Sequence, residues 1–94
     1  MKHTVEGKRY NSDNMEKLCE RDHYNNGNYT GTTELLLAKD GTYHFITRSN
    51  GQDFYVQDGI RMCYADELNG FLDIADITDE QESRLVELEL IELV

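Results

Sequence analysis

Ninety-four residues with 38% hydrophobic side chains, six Tyr, three Phe and no Pro suffice for one folded domain spanning 1–94, too few for two, and are too aromatic for a disordered chain. The formal net charge is −10, and residues 1–50 balance seven Lys or Arg against seven Asp or Glu while residues 51–94 set two Arg against twelve acids. That balance argues against direct contact with nucleic acid, whose phosphates need clustered cations, and favours a basic protein partner.

In chain order, Thr4 and Val5 followed by Gly7 and Lys8 to Tyr10 read as a short strand or the entry to a β-turn. Asp13 and Glu16 have capping-box spacing, and Met15, Leu18 and Cys19 fall at i, i+3 and i+4, which predicts a helix over 14–22. The stretch HYNNGNYTGT is rich in Asn and Gly and reads as a loop with left-handed residues. Three turn pairs follow, Asp40-Gly41, Asn50-Gly51 and Asp58-Gly59, between runs rich in β-branched and aromatic residues. They predict a meander with strands near 33–39, 42–48, 53–57 and 60–64. Tyr43, Phe45 and Thr47 share one face of the second strand, and His44 and Ile46 the other. The fold class is therefore α+β: an antiparallel meander of about three to five strands packed by one or two short helices.

A helical turn is expected at 65–69. Thr78 with Gln81 forms a second capping box, and Asp79 and Glu80 suit the first turn of a helix starting at 79. Beyond Leu85 the pattern is divided: Val86, Leu88 and Leu90 alternate with Glu87 and Glu89, so residues 86–93 either continue the helix or form an edge strand. Exposed apolar residues in that tail would admit a homodimer.

The candidate chemistry is limited. Cys19, His23, His44 and Cys63 are a chemically adequate zinc quartet, but their spacing is not that of paired zinc ligands, so no metal or other cofactor is expected. Neither Cys sits where a helix N-terminus or a fixed base would activate it, and no phosphate cradle or paired-carboxylate cleft stands out, so an enzyme is not expected. With no apolar stretch of signal-peptide or membrane-spanning length, the expectation is a cytoplasmic protein with reduced thiols and no membrane contact. The acids Asp66, Glu67, Asp73, Asp76, Asp79, Glu80, Glu82, Glu87, Glu89 and Glu92 are the candidate partner-binding residues.

The stretches GKRYNSDNMEKLCE and YNNGNYTGTTELLLAKDGTYHF, within residues 7–46, resemble a family of small phage and mobile-element proteins. Those proteins place a Gly-Lys-Arg-Tyr segment before a helix and then a strand hairpin. The resemblance implies an inhibitor in the host cytoplasm, of the anti-CRISPR kind, that binds a basic host protein or nucleoprotein complex through an acidic, DNA-like surface.

Overall fold

A computed structural model describes residues 1–94, with six strands and two helices in the order β1 (Lys2–Val5), β2 (Lys8–Asn11), β3 (Glu16–Asn25), β4 (Asn28–Leu37), β5 (Tyr43–Ser49), β6 (Gly59–Cys63), α1 (Ala65–Ile74) and α2 (Asp79–Glu87). The fold is α+β. Strands β3-β4-β5-β6 form an antiparallel meander, and β1 and β2 form a separate hairpin. No helix is long and apolar enough to cross a membrane.

The largest correction concerns residues 14–22. Asn11 does cap a turn, accepting from the Asp13 amide, but the turn is a single 3-10 turn over Ser12–Asn14 and the chain then runs as β3. Helical spacing of Leu18 and Cys19 has another origin: a register shift between Lys17 and Cys19 lets two successive residues both be buried, which a regular strand forbids. Pairing with β4 then outweighs the weak helical stripe. The helix that the phage-family resemblance places after Tyr10 is therefore a strand.

The loop expected at 23–32 is a hairpin whose Asn26 and Gly27 have φ of 53° and 80°, the arrangement of a two-residue type I′ turn. Strand 53–57 is also corrected. There Asp53 accepts the Tyr55 amide through its side chain and the Val56 amide through its carbonyl, so the chain turns where a strand would run straight. This segment, 50–58, folds over β4 because Gly31 has no Cβ. A methyl group at 31 would lie 2.6 Å from the Arg48 carbonyl oxygen and 2.8 Å from Val56 Cγ1.

Both sheet faces are covered. On one, Cys19, Leu35, Phe45 and Cys63 form the core with Leu72 of α1 and Leu85 of α2. On the other, His3 and Tyr10 of the β1–β2 hairpin pack against His44, whose ring centroid lies 5.0 and 4.4 Å from theirs. Helix α2 begins with the expected capping box, Thr78 accepting from the Gln81 amide and Gln81 accepting from the Thr78 amide. It is pinned to β3 by Arg84, which donates to both carboxylate oxygens of Glu16 at 2.8 and 2.9 Å.

Neither expectation for residues 86–93 holds. The helix stops at Glu87, and Glu89 takes φ 61° while its amide donates to the Val86 carbonyl and that of Leu90 to the Leu85 carbonyl. This pair of bonds is a Schellman cap with Glu where Gly is usual. It folds the tail back, so Leu88, Leu90 and Ile91 pack on the core and only Leu93 and Val94 remain exposed apolar residues there.

Candidate functional site

The ten candidate acids lie on the helical layer and its connections. Asp66 and Glu67 occupy the first turn of α1, and Asp79, Glu80 and Glu82 the first turn of α2, where each complements the positive helix end. Asp73 lies in the last turn of α1, which has no basic residue, so its charge opposes the dipole. Asp76 lies between the helices, its amide donating to the Glu20 carbonyl at 2.9 Å. Glu87, Glu89 and Glu92 follow on the end of α2 and the folded tail. Glu67 is paired with Arg61 and Glu87 with Arg84; the other eight have no salt-bridge partner. These eight carboxylates share a layer in which Arg84 is the one cation of the helices, and that cation is bound to Glu16 and Glu87.

The sequence-based zinc quartet is dispersed. Cys19 and His23 lie on a strand, where four residues span about 13 Å, and His44 points to the opposite sheet face from both thiols. Burial pushes the thiols of Cys19 and Cys63 up to about 11, which leaves them protonated and poorly nucleophilic.

His44 is instead the centre of a polar chain. It is fully buried; its Nδ1 lies 2.9 Å from His3 Nε2 and its Nε2 lies 2.8 Å from Thr42 Oγ1. Thr42 donates its only hydroxyl proton to Asp40 at 2.6 Å, so it accepts from His44 Nε2–H, and His44 Nδ1 must accept from His3. Asp40 also accepts from Tyr10, and the bonds from Thr42 and Tyr10 hold its carboxyl well below the usual range. Burial first, and then the neighbouring His3, pull the His44 pKa down, so the ring is neutral at pH 7. The chain fastens the hairpin to the sheet.

A cleft that no motif announces opens where segment 50–58 folds over the sheet. It measures about 370 Å³, with His23, Thr33, Thr47 and Arg61 on its floor and Tyr55 and Gln57 on its wall. The floor residues come from β3, β4, β5 and β6 in turn, so only the strand register brings them together. Arg61 stacks over the Phe45 ring at 4.8 Å and donates one nitrogen to Glu67 at 2.5 Å.

No family model, no curated protein and no solved structure matches this chain.

Proposed function

We propose that the protein is a binding protein whose acidic helical layer docks into the basic groove of a nucleic-acid-binding host protein and excludes its nucleic acid. A CRISPR effector attacked by a phage-type inhibitor is one such target. The observation that carries this reading is the set of eight carboxylates on one layer without a salt-bridge partner, Asp73 among them at the wrong end of a helix. Charges placed purely for solubility have no reason to oppose a helix dipole, whereas a recognition surface accepts such local costs. Carboxylates on adjacent turns lie roughly 5–6 Å apart, a spacing on the scale of successive phosphates. A negative layer also accelerates encounter with a positive groove, strongly so at low salt.

The test is a capture experiment with Asp73, Asp76, Glu89 and Glu92 all changed to Lys, which moves the formal charge from −10 to −2 by adding eight units. None of the four is at a helix N-terminus, so helix dipoles are not harmed and circular dichroism should remain unchanged. Host lysate is passed over both proteins at about 50 and 500 mM salt, spanning weak and strong screening. The wild type is expected to retain a basic nucleic-acid-binding protein at low salt only, and added DNA should displace it. Equal retention by the charge-reversed protein would sink the proposal.

A further inference from the structure

In a chain of net charge −10, none of the residues lining the cleft over Thr33, Thr47 and Arg61 is an acid, and three, His23, Gln57 and Arg61, carry nitrogen donors. An adjoining pocket of about 190 Å³, which shares Thr47, Gln57 and Arg61, also lacks a carboxylate. Volumes of this size are at the lower end of what small-molecule sites use, about 300–1,000 Å³.

Hydrogen-bond direction at the His23 end of the floor is fixed by Arg21. Arg21 Nη1 lies 3.4 Å from His23 Nδ1, and an arginine nitrogen only donates, so Nδ1 carries the lone pair and the ring proton is on Nε2. Burial, with the Arg21 charge second, lowers the His23 pKa and keeps the ring neutral. Nε2–H therefore donates to Thr33 Oγ1 at 2.7 Å, and the Thr33 and Thr47 hydroxyls share one proton across 2.8 Å, either oxygen being able to accept. Two hydroxyl protons serve one bond, so one of them, that of Thr47 when Thr33 donates, has no acceptor in the protein. Arg61 offers a second set of donors, because only its Nη1 is engaged, by Glu67 and the Met62 carbonyl.

Thr47 and Arg61 are diagonal neighbours across β5 and β6, since Arg61 pairs with Phe45 and Thr47 with Gly59. Such neighbours have Cβ atoms roughly 7–8 Å apart, a gap that one oxyanion spans with a hydrogen bond of about 2.8 Å to each side. Tyr55, 91% exposed, stands at the lip, where its ring can lie against the body of a ligand. Opposing charge is confined to the rim: Glu67 holds one nitrogen of Arg61, and Asp53 spends an oxygen on the Tyr55 amide.

We propose that this cleft is a binding site for a small oxyanion-bearing ligand, a carboxylate or a phosphate, held by the Thr47 hydroxyl and the free nitrogens of Arg61. The site is separate from the acidic layer and does not depend on the function assigned to it.

The test uses amide and arginine side-chain NMR spectra of the full chain, titrated with benzoate, with inorganic phosphate and with the neutral analogue benzamide, all against sodium chloride at matched ionic strength. Saturable shifts at Thr33, Thr47, Gln57 and Arg61 are expected with an oxyanion and not with benzamide. Tighter binding of benzoate identifies a carboxylate ligand, and tighter binding of phosphate a phosphate ester. Thr47→Val removes the donor at nearly constant shape and should weaken binding about tenfold, whereas Thr47→Ser should keep it. No saturable response to either oxyanion, equal binding of benzamide, or wild-type affinity in Thr47→Val would each overturn the assignment. The benzamide comparison needs no variant, so it decides the question even if Thr47→Val does not fold.

Discussion

Changing Glu89 to Gly should stabilise the protein. Glu89 sits at φ 61°, where a side chain costs about 1–2 kcal/mol that glycine avoids. Glycine returns roughly 0.5–1 kcal/mol of that through the greater freedom of its unfolded chain. The two bonds of the cap, from Glu89 to Val86 and from Leu90 to Leu85, are backbone bonds and survive the change. Removing an acid from the negative end of α2 adds a further few tenths of a kcal/mol. The net expectation is a gain of about 1 kcal/mol, which for a domain of this size raises Tm by about 4–8 °C. Glu89→Gln separates the two contributions, because it removes the charge and keeps the strained Cβ, and it should move Tm by no more than about 2 °C. Thermal unfolding followed by circular dichroism at matched pH and salt reads all three proteins. If Glu89→Gly is less stable than the wild type, or gains no more than Glu89→Gln, the cap is not held as described.

Three further outcomes follow from the buried groups. The folded pKa of His44 lies below its ordinary 6.5, so the unfolded chain binds the proton more readily, and stability present above pH 6.5 is lost as pH falls toward the folded value. Urea midpoints should accordingly drop between pH 7.5 and 5, and His44→Asn should reduce the drop without removing it, since the pKa values of His3 and His23 are lowered too; an unchanged midpoint in the wild type would contradict a neutral His44. Gly31→Ala should cost about 2–3 kcal/mol, since the Arg48 carbonyl cannot retreat from the added methyl and Val56 must, and a variant as stable as the wild type in urea would disprove the seating of segment 50–58. Cys19 and Cys63, with pKa values of about 11, hold about one thiolate per thousand thiols at pH 8, so a thiol reagent should label them only as fast as the protein unfolds. Rapid labelling in buffer would show that one of them is accessible.

Local chemistry made parts of this fold readable. Thr78 and Gln81 announce the start of α2 because a capping box needs only residues three apart, and Tyr43, Phe45 and Thr47 announce a face of β5 through their alternation. Leu18 and Cys19 misled, since a strand with a register shift buries two neighbours as a helix stripe would, and the decisive partner, Leu35, is many residues away. Glu89 gave no stop signal because the residue there is not the expected glycine. The acids were visible individually, but that five of the ten occupy helix first turns on one layer, with two of the ten taken by Arg61 and Arg84, required the packing. The cleft was invisible for a similar reason. His23, Thr33, Thr47 and Arg61 each look ordinary, and their hydroxyl chain exists only in the registered sheet.

The two borders of the meander are not equivalent. Both β3 and β6 pair with a strand on one side only, but the outer side of β3 is engaged at Glu20, whose carbonyl accepts the Asp76 amide, whereas β6 has β1 packed against it. Each border of the meander is thus partly occupied by the protein's own chain, β3 by the link between the helices and β6 by the hairpin. Such cover leaves less of each border open to strand addition, which guards the sheet against edge-to-edge aggregation.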